Sequence, residues 1–286
     1  MRNRRVAQLA APMLLLGSCS IGDVDPPSDP GRVVLTPAAD GAAPHTHATT
    51  IGDGTTPDAG GYRLTGLSFP QKSRVPGNLS FRIEDSYGDV VTDFQEEQTK
   101  LLHLYVVRDD LADFRHLHPT IADDGTWTAR VDLADPGRYR VIAEFVPSGQ
   151  PDGSHVVLGE RALVPGEWTP TEVPATSIAD DGLVTIEAPS TMTAGSDERM
   201  TLTVSDGAGG VLNLGTYLGS YAHLTGFDVE TGAFVHAHPL GAPDVTSEGS
   251  ELLFHTAFNA PGEYRFFVQV RVDGFVHTVP VTSTVV

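Results

Sequence analysis

The chain has 286 residues, a net charge of −19 at pH 7 and a pI near 4.7. No basic stripe interrupts this acidity, so nucleic-acid binding and a broad electrostatic hold on anionic lipid have no support. Its single cysteine, Cys19, excludes intrachain disulfides, thiolate zinc sites and a catalytic cysteine in the folded part.

The N-terminus has the pattern of a secretory signal. Three arginines lie within residues 1–5, and an apolar run, Val6 to Leu16, is too short to span a bilayer as a mature helix. The run ends in Leu-Gly-Ser-Cys, which resembles the bacterial lipobox, in which the cysteine is lipidated. We therefore predict a signal peptide over 1–18 and an extracytoplasmic protein anchored to a bacterial cell membrane through lipid on Cys19.

Residues 19–61 are predicted to form a disordered tether. They are rich in Pro, Asp, Gly, Ala and Thr and lack apolar periodicity. The tether contains His45 and His47, a His-X-His pair that can bind metal weakly. A polar linker is the simpler interpretation of that pair.

A histidine pattern occurs twice in the rest of the chain. In each copy one histidine lies thirteen positions before a His-X-His-Pro sequence. These histidines are His103, His116 and His118 in the first copy and His223, His236 and His238 in the second. Imidazole is the commonest metal ligand, so a repeated trio indicates that the two halves share a site or the remains of one.

The repeat extends beyond the histidines. LADPGRYRVIAEF (133–145) matches FNAPGEYRFFVQV (258–270), and each unit is about 100 residues, the size of one domain. We predict one domain over 62–165, a linker over 166–181 rich in Pro, Thr and Asp, and a second domain over 182–286.

Both units are predicted to be all strand. Leu79, Phe81 and Ile83 alternate with polar residues, and no long stretch has helical period. In the first unit we expect strands near 62–69, 78–84, 100–108, 113–118, 126–133, 138–146 and 155–164. A glycine two residues before Tyr139, matched at Tyr264, resembles a tyrosine corner. The fold class is therefore all-β, two tandem immunoglobulin-like β-sandwich domains after the disordered tether.

The histidines are predicted to converge on one hairpin in each unit. With equal arms around a polar turn, His103 opposes His116, and His118 projects from the same face two residues on. The second copy repeats this geometry with His223, His236 and His238. A fourth ligand would come from the last strand, as His155 or His277, or from a carboxylate or water.

Neutral imidazoles suit Cu(II) or Zn(II) and are poor ligands for Ca(II) or Mg(II). The lack of a cysteine ligand excludes a blue-copper site. In the alternative interpretation the histidines only brace the hairpin through stacking and backbone hydrogen bonds. We expect no enzyme, since the chain has no Gly-X-Ser-X-Gly elbow, phosphate-binding glycine loop or His-Glu-X-X-His helix.

The sequence HLYVVRDDLADFRHLHP, with PGRYRVIAEF after it, resembles uncharacterised bacterial secreted and lipid-anchored immunoglobulin-like domains. These are similar to the YtkA-like family and, more distantly, to copper-resistance sandwiches of the CopC type. The resemblance covers both units and implies the sandwich fold, but no settled activity. A CopC-type copper site uses the free mature N-terminus, and acylation of Cys19 would remove it.

We therefore expect a protein that binds Cu(II) or Zn(II) through a histidine cluster in each sandwich, for sequestration or delivery at the envelope. The alternative is a non-catalytic scaffold that engages an envelope protein partner and whose histidines are structural.

Overall fold

The computed structural model describes residues 49–150 and 153–286, with the side chains of residues 196–198, 236 and 238 left out. The predicted signal peptide, Cys19, His45 and His47 lie outside these residues. Every helix-or-strand element in the described part is a strand. This part contains no helix with the length and apolarity needed to cross a bilayer.

The first repeat is a sandwich of two sheets. Its eleven strands are β1 (Thr50–Ile51), β2 (Asp58–Ala59), β3 (Tyr62–Ser68), β4 (Gly77–Glu84), β5 (Phe94–Gln95), β6 (His103–Arg108), β7 (Phe114–Leu117), β8 (Thr120–Ile121), β9 (Trp127–Val131), β10 (Gly137–Pro147) and β11 (His155–Val164). One sheet has the order β1-β11-β10-β6-β7, with β5 on β10, and the other has the order β2-β3-β4-β9-β8. Along β9, buried and exposed residues alternate with the period of two expected of a strand with one face on the core.

The second repeat builds the same kind of sandwich from one continuous sheet. Its strands are β12 (Ile178–Asp180), β13 (Thr185–Glu187), β14 (Thr191–Met192), β15 (Gly195–Ser205), β16 (Leu214–Gly215), β17 (Ala222–Asp228), β18 (Phe234–Pro239), β19 (Asp244–Val245), β20 (Ser250–Phe258), β21 (Gly262–Val272) and β22 (Phe275–Val285). The sheet is continuous because β18 extends to Pro239 and pairs with β20. In the first repeat β7 ends at Leu117, so the two sheets stay separate.

The predicted all-β fold is confirmed, and each of the seven predicted strands of the first repeat is present within about three residues at either end. The tyrosine corners are also present. The Tyr139 hydroxyl donates to the Asp135 carbonyl oxygen at 2.7 Å, and the Tyr264 hydroxyl donates to the Ala260 carbonyl oxygen at 2.8 Å. Both tyrosines lie in the strand between the histidine strand and the last strand of their repeat, β10 and β21.

Two predicted segments without regular structure are partly wrong. Residues 49–61 belong to the first sandwich and not to a disordered tether, since β1 pairs in parallel with β11 and β2 pairs with β3. Gly54 packs so closely that a Cβ at Gly159 would collide with its carbonyl oxygen. The predicted linker 166–181 includes β12, which pairs with β13. Two-residue strands and glycine turns carry no periodicity, so the sequence pattern could not reveal them.

The strands that carry the first histidine of each trio, β6 and β17, are buried along their whole length. Leu104 and Val106 face the core of the first sandwich, whereas Tyr105 and Val107 face the second repeat. The core between the repeats consists of Tyr105, Val107, Leu111, Phe114, Ile142, Val157, Phe227, Phe234 and Phe267. We call this contact the inter-repeat seam.

Candidate metal centre

Three histidines of the first repeat meet at one end of its β6–β7 hairpin. His103 begins β6, His116 lies in β7, and His118 follows the end of β7. Each ring offers one nitrogen, and these three nitrogens all lie within 4.8 Å of one another. One of these separations, from His103 Nδ1 to His116 Nε2, is 3.0 Å. The predicted convergence of the trio is therefore present.

The pairing that brings them together differs from the predicted one. His116 pairs with Tyr105 and not with His103. The reason is the length of the loop, which the Arg108 N–H closes by donating to the Asp113 carbonyl oxygen at 2.9 Å, with Leu111 at φ 55° between them. The register is shifted by two residues, and an even shift keeps every side chain on its predicted face.

The backbone of the second repeat has the same register, since His236 pairs with Thr225. His223 is buried at the position equivalent to His103. The side chains of His236 and His238 lie outside the description, so the second trio is defined here only through its backbone and His223.

A backbone carbonyl fixes the tautomer of the first histidine in both repeats. His103 Nε2 lies 3.0 Å from the Glu97 carbonyl oxygen, and His223 Nε2 lies 2.8 Å from the Tyr217 carbonyl oxygen. A carbonyl oxygen only accepts hydrogen bonds, so each neutral ring carries its proton on Nε2. The lone pair of each ring is then on Nδ1, and in His103 this atom faces the trio.

The tight turns that present these carbonyls are conformationally demanding. The Glu97 turn closes with backbone hydrogen bonds in both directions to Lys100, and its central residues Gln98 and Thr99 have φ of 47° and 69°. Positive φ is costly for a β-branched residue. The Tyr217 turn closes with the same pair of backbone hydrogen bonds, to Ser220, and its central residues Leu218 and Gly219 have φ of 51° and 80°. Both repeats therefore have a tight turn with a non-glycine residue at positive φ before the histidine.

The other two histidines have contrasting surroundings. His116 Nδ1 lies 2.7 Å from Oε1 of Gln269, a residue of the second repeat. His118 Nε2 is buried and has no hydrogen-bond partner. A buried polar atom without a partner is rare in proteins and is one mark of a ligand position.

Two members of the trio, His116 and His118, are held neutral at ordinary pH. Burial lowers the pKa of His116 well below its usual range, and the neighbouring His118 and His103 lower it further. Burial and the charge of His103 lower the pKa of His118 to about 3. The ring of Tyr105 stacks on His116 at 4.7 Å between centroids and helps to exclude water. Neutral imidazole is the form that binds a metal.

The histidines predicted to supply a fourth ligand lie elsewhere. His155 Nδ1 is 3.2 Å from Glu144, and both side chains are buried. His277 Nδ1 is 2.7 Å from Asp181. Neither is part of the cluster of nitrogens formed by the trio among the described residues.

The sequence interpretation missed Gln269 as a contact of the trio. The signal for it is a polar residue inside the apolar run of the strand, five positions after the corner tyrosine in both repeats. The first repeat has Glu144 there, and the second has Gln269. Glu144 accepts a hydrogen bond from the Tyr105 hydroxyl at 2.9 Å.

Comparison with known protein families decides the relationship. Residues 56–158 and 176–286 each match the family described as "Domain of unknown function (DUF8832)". The chain belongs to this family. It therefore contains two DUF8832 copies, which agrees with the repeat found in the sequence. The resemblances to the YtkA-like family and to CopC-type sandwiches stay predictions.

Several solved structures are similar at low identity. Invasin, a bacterial integrin-binding protein, is 16% identical over 79% of this chain and 39% of its own, with a TM-score of 0.21. The fibronectin(III)-like modules of Clostridium thermocellum CbhA are 16% identical over 78% of this chain and 92% of their own, also at 0.21. InvD of Yersinia pseudotuberculosis is 13% identical over 78% and 56%, at 0.22. This chain thus spans about two fifths of invasin and just over half of InvD.

A search of curated proteins found no significant match. The structural similarities above are too remote to bear on function.

Proposed function

We propose that this DUF8832 protein is an extracytoplasmic, lipid-anchored protein that binds Cu(II) or Zn(II) at His103, His116 and His118. Its role would be sequestration or delivery of the metal at the cell envelope. The observation that carries the proposal is the set of three imidazole nitrogens within 4.8 Å of one another. Two of these rings are held neutral by their surroundings.

The donor set fits such an ion. At metal–nitrogen bonds of about 2.0–2.1 Å, tetrahedral ligand atoms lie roughly 3.3 Å apart. One pair of nitrogens is already at 3.0 Å, and all three nitrogens lie within 4.8 Å of one another. The partners of the outer ring nitrogens, the Glu97 carbonyl and Gln269, are of the kind that orient metal-bound histidines. A fourth position would be taken by water or another donor.

We extend the proposal to the second repeat, with His223, His236 and His238 as ligands. Its support is the repeated hairpin register and the hydrogen bond from His223 to the Tyr217 carbonyl, which matches that of His103.

A scaffold that engages an envelope partner is the second candidate. The observation that favours it is the 3.0 Å between His103 Nδ1 and His116 Nε2, which is a hydrogen-bond distance. If the amide of Gln269 is rotated, its NH₂ group donates to His116 Nδ1, and His116 Nε2–H then donates to His103 Nδ1. The chain of hydrogen bonds would end at the Glu97 carbonyl and would need no metal. In that state the histidines brace the hairpin at the inter-repeat seam.

Calorimetric titration distinguishes the two candidates. Cu(II) and Zn(II) are titrated at pH 7.5 into tag-free protein from residue 49 onward, which retains β1 and β2. We expect a Kd below about 100 μM, or about −5.5 kcal/mol. Binding should change little between pH 7.5 and pH 5, because burial keeps the rings of His116 and His118 neutral in the folded protein over this range.

Matched variants locate the site. The double variant His116→Ala/His118→Ala should lose the site of the first repeat and keep that of the second. The variant His277→Gln, outside the trio, should bind as the parent does. If neither metal binds tighter than about 100 μM to the parent protein, the metal function fails and the scaffold function replaces it.

A further inference from the structure

The histidine trio of the first repeat lies against the second repeat. On the inter-repeat seam the rings of Phe114 and Phe267 stack at 4.2 Å with an interplanar angle of 9°. Next to this stack, the rings of His116 and His223 lie 5.8 Å apart. The candidate metal centre is therefore continuous with the surface that joins the repeats.

The polar contact across the seam at this point is made by Gln269. Its side chain is buried, with Oε1 2.7 Å from His116 Nδ1 and Nε2 3.2 Å from Oγ1 of Thr278. In this orientation the amide NH₂ donates to the threonine hydroxyl, and the amide oxygen accepts the Nδ1–H of His116. The lone pair of His116 is then on Nε2.

This arrangement leaves two lone pairs facing each other. His103 carries its proton on Nε2 because it donates to the Glu97 carbonyl, so its Nδ1 is an acceptor. His116 Nε2 is also an acceptor and lies 3.0 Å away. Two facing acceptors at this distance repel each other unless a cation or proton lies between them. The orientation of the buried Gln269 amide therefore decides between two states. In one, the His103 and His116 lone pairs face each other and can bind a metal; in the other, the two rings are joined by a hydrogen bond.

We propose that Gln269 is a positioning residue that selects the Nδ1–H tautomer of His116, so that the metal centre of the first repeat is complete only when the second repeat is docked on it. This inference rests on the proposed metal function and deepens it. Groups that orient metal-bound histidines typically change affinity by about 10- to 100-fold.

The first experiment reads the tautomer directly. Nitrogen-15 NMR of histidine-labelled, metal-free full chain reports which ring nitrogen of His116 carries the proton. The parent protein should show Nδ1–H, because the positioning role requires that the Gln269 amide, which donates to Thr278 and accepts from His116, outweigh the repulsion between the two facing lone pairs even without metal. The variant Gln269→Leu, which has no acceptor, should show Nε2–H. Gln269→Glu, which can only accept, should keep Nδ1–H. An Nε2–H tautomer in the parent protein would overturn the positioning role.

The second experiment measures affinity for Zn(II) in the same full-length proteins. Gln269→Leu should weaken the first-repeat site about 10- to 100-fold. Gln269→Glu should bind at least as tightly as the parent, and glutamate is the residue that the first repeat carries at this position. The control Phe267→Leu reduces the packing of the inter-repeat seam but leaves the Gln269 amide in place. It should keep both the His116 tautomer and the affinity for Zn(II).

The outcomes separate the two proposals. If the parent binds Zn(II) and Gln269→Leu binds it equally tightly, the positioning role is wrong and the metal function stands. If the three Gln269 and Phe267 variants lose affinity together, the seam acts only through packing and the tautomer inference is overturned. If the parent binds no metal, the proposed function fails, and the NMR measurement still decides the tautomer.

Discussion

The metal-free protein should lose stability as the pH falls below about 6.5. In the folded state the pKa values of His116 and His118 are lowered, chiefly by burial. In the unfolded chain both rings have an ordinary pKa of about 6.5. Between these values the unfolded state binds more protons than the folded state, so the free energy of unfolding falls with falling pH.

The expected size follows from the linkage relation. Between pH 6.5 and pH 5 a histidine that stays neutral when folded costs about 1.6 kcal/mol. His118 is partly exposed, so solvent screening reduces its share, and we count it at about half. Together the two rings should lower the free energy of unfolding by about 2 kcal/mol. His155 affects stability in a different pH range. Burial lowers its pKa, but the hydrogen bond and charge of Glu144 together with the charge of Glu97 outweigh burial and raise the pKa. Its stabilisation is full below pH 6.5 and is lost as the pH rises above that.

Urea unfolding in the presence of a chelator tests this expectation. The parent protein is compared with His116→Gln/His118→Gln, whose side chains do not titrate, at pH 6.5, 5.75 and 5. Carboxylates titrate alike in both proteins. The difference between the two slopes of unfolding free energy against pH therefore gives the contribution of the two imidazoles. Parallel slopes would refute the claim that these rings are held neutral in the folded state.

Two further predictions concern the N-terminal region. Cys19→Ser should move the protein from the membrane fraction to the soluble fraction on fractionation of cells, because lipid on this residue is the proposed anchor; retention on membranes would contradict the anchor. Protein starting at residue 62 should be less stable to urea than protein starting at residue 49 by about 2 kcal/mol, because it lacks Ile51 and Ala59, which pack on the first core. Equal midpoints for the two proteins would show that β1 and β2 contribute nothing.

Much of each sandwich could be predicted because its signals are local. Alternating burial along β4 and β9 follows the alternation of apolar and polar letters. Asp85 accepts hydrogen bonds from the backbone N–H groups of Tyr87 and Asp89, as expected of an aspartate that caps a turn. The convergence of the trio could be predicted too, since it requires only that His116 and His118 share a face of one strand.

The remaining features depend on groups far apart in the chain. The hairpin register depends on which backbone groups close the loop. The sequence of Asp109–Asp113 does not specify these backbone hydrogen bonds. The inter-repeat seam was missed because a strand buried on both faces shows no alternation. Tyr105 and Phe267 therefore read as ordinary core residues. Gln269 was missed because its partner, His116, is 153 residues away.

The seam and the histidines impose related constraints on the same two strands. A strand such as β6 can bury its outward face only if another surface covers it, and β17 with β21 supplies that surface. Burial beside these strands lowers the pKa values of His116 and His118 and so keeps both rings neutral. In each repeat the backbone carbonyl of a tight turn accepts a hydrogen bond from one ring nitrogen, Nε2 of His103 or of His223. A metal ion bound by the trio would fix the ring of His116, which contacts Gln269 of the second repeat.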